Sequence, residues 1–259
     1  MKIQFNNLSF KYPQSNSGLN AVNLTIPKNK LTVIVGENGS GKSTIAKLID
    51  GLLLPDDGEI IFDKKVINHK SKEKDFLNIR NQIGFVFQQP EKQLFASTVL
   101  QDVSFALKNF NLDETLAVKA LKEMGIEEEL FDKNVFELST GQQRKVALAG
   151  IFVYDPKIII YDEPTLGLDY PSQIEIFNLI KQQQNQDKTQ IVITHDLDRF
   201  IPIADDIIYL ENQKVLSQGD AQTVFAEAKK LEPTFIKAAR VLKLKKIPSS
   251  IHQLKRYLK

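Results

Sequence analysis

Lys42 and Ser43 close the run Gly36-Glu37-Asn38-Gly39-Ser40-Gly41-Lys42-Ser43, which matches G-x-x-x-x-G-K-S/T without a gap and is followed by Thr44. Glycines at these places let the backbone curl until successive amides point inward, a geometry suited to phosphate oxygens. Lys42 is then placed to reach the β- and γ-phosphates of a nucleoside triphosphate, and the Ser43 hydroxyl to ligate a Mg²⁺ ion that bridges them. A glycine-rich turn of no chemical use is the bland alternative. Against it stand the apolar run before the motif and the helical spacing after it, since the helix start adds its positive end to the cradle. The motif specifies triphosphate binding and leaves the reaction open.

Two further groups suit hydrolysis of that triphosphate. Ile158-Ile159-Ile160-Tyr161-Asp162-Glu163 is an apolar strand pattern ending in adjacent acids, of which Asp162 is assigned to the metal and Glu163 to the attacking water. In the competing reading the two acids merely cap a strand before Pro164. Tyr161 interrupts an otherwise aliphatic run and points to looser cover over this strand. His195 follows the similar run Ile191-Val192-Ile193-Thr194, so it emerges at the same sheet end as the acids, within reach of the γ-phosphate or the water. A lone histidine is more often structural; its place at a strand end favours the chemical role.

The elements that must position these groups read as an α/β fold. Lys2–Phe10 and Leu19–Ile26 have strand character, with Pro13 and the cluster Ser15–Asn20 between them. Leu31–Val35 is a short buried-type strand running into the glycine-rich loop, and the stretch from Thr44 to Leu53 has helical spacing. A turn at Leu54–Gly58 and a strand at Glu59–Phe62 follow. From Gln89 to about Tyr154 the pattern turns helical, which gives an inserted helical subdomain at approximately 90–155. Lys157–Tyr161 and Gln190–Thr194 are nearly continuous apolar runs, as strands of a parallel sheet covered on both faces are. A hairpin is expected over Asp206–Gln218, turning near Asn212. Helices then run from Asp220, a candidate N-cap, with breaks at Pro233 and Pro248-Ser249-Ser250.

Bulk composition excludes several alternatives. The chain has 259 residues, 42% hydrophobic and 25% charged, which is ordinary globular composition. It has no cysteine, so disulfides, thiolate metal sites and cysteine nucleophiles are ruled out, and His69, His195 and His252 are too few for a histidine-rich metal cluster. No apolar run has the length of a membrane span and the start lacks a leader pattern, so a cytoplasmic location is expected. The net charge of +2 is uneven: after Glu232 there is no acid and eight Lys or Arg, leaving −6 for the rest. Such a tail suits nucleic acid, anionic lipid or an acidic protein, or is simply the solvated face of terminal helices.

Leu138-Ser139-Thr140-Gly141-Gln142-Gln143-Arg144 resembles the L-S-G-G-Q-Q-R signature of ABC ATPases. With the phosphate loop, Asp162-Glu163 and His195 in the same order, the resemblance covers residues 1–220 and implies an ABC ATPase domain there, with 221–259 a basic C-terminal helical extension. It implies a P-loop core with a mostly parallel sheet, an antiparallel β subdomain and the inserted helices, binding ATP and Mg²⁺. It also implies a head-to-tail dimer in which Leu138–Gln142 serve the partner's nucleotide, Ser139 and Gly141 meeting its γ-phosphate. By matching position Tyr12 stacks on adenine, Gln88 is the Q-loop residue at the metal, and Asp169 is the D-loop acid. Thr140 departs from the pattern, adding a side chain where backbone meets nucleotide; it is either accommodated or it weakens one composite site.

Within that family Val86-Phe87-Gln88-Gln89-Pro90-Glu91-Lys92-Gln93-Leu94-Phe95, Thr165-Leu166-Gly167-Leu168-Asp169 and the extension after Asp220 resemble the energy-coupling factor ATPases of vitamin and transition-metal uptake. That likeness implies a second, identical or related ATPase, a transmembrane coupling protein and a membrane substrate-binding subunit, at the cytoplasmic face of the membrane. No nucleic acid is among the implied partners. The alternative is a soluble ABC ATPase outside transport, an assembly or scaffold motor. Chromosome-structure relatives are disfavoured because no long coiled coil fits between Lys42 and Ser139, and translation-associated ones because there is a single phosphate loop.

Overall fold

The computed structural model describes residues 1–259 apart from Asn16, Lys245 and Lys259, and apart from the side chains of Glu73, Leu77 and Asn78. In chain order β1 (Ile3–Lys11), β2 (Gly18–Ile26) and β3 (Leu31–Gly36) precede α1 (Lys42–Ile49), β4 (Asp57–Phe62), β5 (Lys65–Asn68), α2 (Glu73–Arg80) and β6 (Ile83–Val86). Helices α3 (Val99–Asn109), α4 (Leu116–Glu123) and α5 (Thr140–Phe152) follow, then β7 (Ile158–Asp162), α6 (Tyr170–Gln184), β8 (Thr189–Ile193) and α7 (Leu197–Phe200). The chain ends with β9 (Asp206–Glu211), β10 (Lys214–Gly219), α8 (Ala221–Glu227), α9 (Thr234–Val241) and α10 (Ile251–Tyr257).

Two sheets result: a four-stranded antiparallel one ordered β2-β1-β4-β5, and a six-stranded one ordered β10-β9-β3-β8-β7-β6. In the second, β9, β3, β8, β7 and β6 run parallel and only β10 opposes its neighbour. Side chains alternate across a strand, and here each face meets a different core. Ile34, Ile160, Ile191 and Ile193 face α1 and the antiparallel sheet. Val33, Val35, Ile159, Tyr161 and Val192 face α6, α7 and the C-terminal helices. That double cover explains why β3, β7 and β8 read as unbroken apolar runs. Helices α3, α4 and α5 enclose a third cluster of their own around Val103, Leu121 and Val146.

The structure corrects several expectations. Tyr161 is 0% exposed, so β7 is fully covered, and its ring fills space against the helical face rather than marking a gap. The helix expected over Thr44–Leu53 stops at Ile49, because Gly51 takes φ +74° and turns the chain out. The 89–154 stretch is three helices joined by turns, with short 3₁₀ segments at Pro90–Gln93, Glu128–Leu130 and Val135–Glu137. The hairpin turns where expected, at Asn212-Gln213, both with positive φ. Asp220 caps α8 by accepting from the Thr223 N–H, and Pro233 and Ser250 precede α9 and α10. Of the tail cations, Lys245 and Lys259 lie outside the described residues, as does Asn16 of the first loop. Among the described residues no helix is long and apolar enough to cross a membrane.

Candidate functional site

Parallel strands deliver their carboxyl ends to one rim of the sheet, and β3, β7 and β8 bring the candidate residues there. Beyond β3 the loop turns on glycines that no other residue fits. Gly41 has φ +104°, and a Cβ there would lie 2.5 Å from Leu19 Cδ2. At Gly36 a Cβ would lie 2.4 Å from the Leu210 carbonyl oxygen. Lys42 Nζ donates to the carbonyls of Gly36 at 2.7 Å and Glu37 at 3.0 Å, so the ammonium sits over the loop. Burial pulls the Lys42 pKa down, while Glu163 and Asp162 act in the opposite direction. The buried Ser40 hydroxyl has no protein partner.

The two acids part company at the end of β7. Asp162 Oδ1 accepts from Ser43 Oγ at 3.4 Å, which ties β7 to the start of α1. Glu163 has φ +49° and its N–H donates to the Ile193 carbonyl at 2.8 Å, so its side chain leaves toward β8. There Glu163 Oε2 accepts the His195 N–H at 3.2 Å and Oε1 lies 3.3 Å from His195 Nε2. Burial raises the pKa of both acids, partly offset by Ser43, Lys47 and Lys42 at Asp162, and by the His195 amide and Lys42 at Glu163. Burial and then Lys42 lower that of His195. The lowered pKa favours the neutral imidazole, and the hydrogen bond from His195 to Glu163 is the one its backbone N–H donates. Glu163 thus combines an oriented side chain with raised basicity, which is what a proton acceptor for water needs.

These groups share one cavity of about 660 Å³. Glu37, Asn38, Gly39, Gly41, Lys42, Ser43 and Thr44 line it, with Gln88, Asp162, Glu163 and His195. Tyr12 lines it too, its ring held edge-on by Phe10 at 4.9 Å. Gln88 lies two residues past β6, where Phe87 stacks on Phe85 at 4.1 Å. Gly36 and Ser40, expected at the nucleotide, are not among the residues lining the cavity, and Gly36 instead packs close to the Leu210 carbonyl and the Ser40 hydroxyl. The sequence reading missed Ser17, Gly18, Leu166 and Leu231 as lining residues. Gly18 abuts the loop only because the first hairpin folds over it, and no local pattern marks Leu231.

The segment Leu138–Gln142 is not part of this cavity. Ser139 caps α5 through a reciprocal pair: its Oγ accepts the Gln142 N–H at 3.3 Å and its own N–H donates to Gln142 Oε1 at 3.0 Å. Thr140 and Gly141 are exposed in the first turn, and a Cβ on Gly141 would meet nothing within 4 Å. Asp169 caps α6 by accepting the Ser172 N–H at 3.1 Å, and Ser172 lowers its pKa. Arg144, one turn into α5, donates from Nε and a terminal nitrogen to Glu91 Oε2, both at 3.1 Å. That ion pair, absent from the sequence reading, links α5 to the segment carrying Gln88.

A family model described as ABC transporter matches residues 19–166. The energy-coupling factor transporter ATP-binding protein EcfA2 of Streptococcus agalactiae serotype Ia is 41% identical, over 94% of this chain and 90% of the relative. The EcfA2 protein of Streptococcus pyogenes serotype M28 is 37% identical, over 100% of this chain and 99% of that one. Among solved structures, cbiO1 of Clostridium perfringens, part of the ABC transporter complex cbiONQ, matches with a TM-score of 0.74 at 37% identity, covering 94% of each chain. The dimeric cassette MJ0796 in a post-hydrolysis state with ADP and Pi matches with a TM-score of 0.72 at 31% identity, covering 84% of this chain and 98% of that one.

Proposed function

The chain belongs to the ABC transporter family of ATPases, and from that premise we propose how its residues serve it as the ATP-hydrolysing subunit of an energy-coupling factor uptake transporter. The observation that carries the reading is the convergence of Lys42, Asp162, Glu163 and His195 on one cavity, while the exposed start of α5 lies outside it. The glycine-rich loop and the N-terminus of α1 receive the phosphates, with Lys42 moving its donors from the Gly36 and Glu37 carbonyls to phosphate oxygens. Tyr12 offers its ring to the adenine. Glu163 accepts a proton from the attacking water, while the backbone N–H of His195 fixes the carboxylate and its imidazole donates toward the γ-phosphate.

The Ser43 hydroxyl, the Asp162 carboxylate and the Gln88 amide oxygen are hard oxygen donors, the set that suits Mg²⁺. Bound Mg²⁺ supplies charge neutralisation on the β- and γ-phosphates. Ser139 and the amides of α5 complete the partner's site in a head-to-tail pair, with Asp169 at the seam; MJ0796, a dimeric neighbour, supports this arrangement. Whether the partner ATPase is identical or related, it docks with this chain on a transmembrane coupling protein beside a membrane substrate-binding subunit, at the cytoplasmic face. The ATPase unit is 1–220, with its helical part at approximately 90–155, and 221–259 is the extension. The substrate is a vitamin or transition-metal ion, read by the membrane subunits.

Pull-down of the tagged chain from detergent-solubilised membranes is expected to recover a second ATPase and small membrane subunits. Recovery with soluble partners alone refutes the transporter assignment. In the same preparation Lys42→Ala is expected to abolish tight ATP binding; unchanged affinity refutes the cradle assignment.

A further inference from the structure

The segment between α8 and α9 touches the nucleotide cavity although it lies in the extension. Leu231 lines the cavity while packing on the core beneath α8 and α9, and its N–H donates to the Tyr209 hydroxyl at 3.2 Å. Next to it Lys230 bridges two acids. Its Nζ lies 3.9 Å from Glu37 Oε2, in the phosphate loop, and forms an ion pair with Glu211 at the end of β9. β9 is the strand whose Leu210 pairs with Gly36 at the loop's origin. Four residues past Lys230, Thr234 makes two hydrogen bonds to one carboxylate: its N–H to Asp198 Oδ1 at 2.7 Å and its hydroxyl to Oδ2 at 2.6 Å. Asp198 lies in α7, which begins two residues after His195. Within the segment, Glu232 accepts from Arg240 Nε of α9 at 2.8 Å, which ties the segment to that helix.

We propose that Lys230–Thr234 is a positioning element that holds the phosphate loop through Lys230 and Leu231, and the His195 turn through Thr234, in fixed register. Movement of the C-terminal helices then reaches both sides of the γ-phosphate. The inference rests on the cavity being the ATP site. It assigns no chemical step to these residues, which act through Glu37 and His195.

The two attachments predict different kinetic signatures. Loss of the loop attachment weakens nucleotide binding; loss of the α7 attachment misplaces His195 and slows turnover. In the full complex, Leu231→Ala and Lys230→Gln are expected to raise KM for ATP by roughly three- to tenfold and about twofold respectively, the scale of a half-buried aliphatic contact and an exposed ion pair, with kcat near parental. Thr234→Val removes one of the two hydrogen bonds and is expected to lower kcat by roughly threefold to tenfold with KM unchanged. Thr234→Ser, which keeps the hydroxyl, restores it. Lys230 and Thr234 are exposed, so these substitutions do not threaten folding. Parental KM and kcat in all three variants, whatever happens to the melting temperature, overturn the proposal. So does a uniform loss in both constants, which is what partial unfolding gives. Lys42→Ala separates the two levels: if it abolishes ATP binding while the segment variants behave as parent, the cavity reading stands and this inference falls.

Discussion

Arg144 and Glu91 give the sharpest energetic prediction. Each side chain is 13% exposed, and both donor nitrogens converge on a single carboxylate oxygen. Arg144→Met keeps the aliphatic stem and leaves the Glu91 carboxylate buried without its partner. For a fully buried pair that loss costs about 3–5 kcal/mol, and for an exposed one about 0–1 kcal/mol. The small residual exposure places this pair toward the upper range, at about 2–4 kcal/mol. For a chain of this size the corresponding fall in melting temperature is roughly 5–15 °C. Glu91→Gln leaves a neutral oxygen to accept the same donors, so its cost is about 1 kcal/mol. Replacing both, as Arg144→Met with Glu91→Leu, removes the stranded charge and is expected to cost less than Arg144→Met alone. Denaturant titration with a helix-sensitive signal measures all three, and ATPase assay of the complex reports whether α5 has lost its tie to Gln88. A cost below about 1 kcal/mol for Arg144→Met refutes the reasoning, as does a double variant that costs as much as Arg144→Met alone or more.

Glu163→Gln keeps an oxygen for the His195 N–H but cannot take a proton, so turnover should fall by about 10²–10⁴-fold with ATP still bound and the dimer trapped; hydrolysis near the parent rate in a phosphate-release assay removes Glu163 from its role. Because burial raises the Glu163 pKa, the acid limb of parental kcat should lie above the ordinary glutamate value, and a limb at or below it contradicts the geometry. Asp50, at the end of α1, is pushed up to about 7 by burial, with Arg80 opposing. Its folded form favours the proton, so its stabilising contribution is full at acid pH and is lost as pH rises through about 7. Asp50→Asn should then be near neutral in stability at low pH and stabilising by at most about 4 kcal/mol above pH 8, and the opposite pH trend in thermal melts overturns this. Ser139→Ala removes the cap of α5 at about 1 kcal/mol of stability and should also slow hydrolysis; a stability loss without a kinetic one places Ser139 outside the partner's site.

What the sequence made legible was local. The phosphate loop is a contiguous motif whose glycines have steric reasons, and the Asn212 turn and the Asp220 cap are set by residues within a few positions of each other. The unassigned elements depend on partners distant in the chain. β6 pairs with β7, and Gly84 fits there because Ile151 and Pro156 press against it, which no pattern around residue 84 shows. Helix α6 buries only Ile176 and Ile180 deeply and carries a polar run at its end, so its period is faint. Tyr161 was misread because its own ring and hydroxyl stand out in an aliphatic run, whereas the facing helices leave a ring-sized space. Leu231 reaches the cavity by tertiary folding alone. The division between Asp162 and Glu163 was already drawn from their place at the strand end; the positive φ of Glu163 and the Ser43 contact at Asp162 add the two different directions in which the side chains leave β7.

The reciprocal cap at Ser139 bears on how readily two such chains separate. The Ser139 hydroxyl spends its hydrogen on Gln142 Oε1 at 3.1 Å while its lone pairs serve the Gln142 amide. In the proposed head-to-tail pair, a phosphate arriving from a partner would meet a donor that is already engaged, and the hydroxyl would need only to rotate, exchanging one acceptor for another while the helix start stays capped. Such an exchange adds little by itself, since one hydrogen bond replaces another. In that proposed pair Ser139 would be a shallow latch: its share of the grip would follow the phosphate's charge, and once that charge leaves, it would turn back to Gln142 with no unpaired group to resist it.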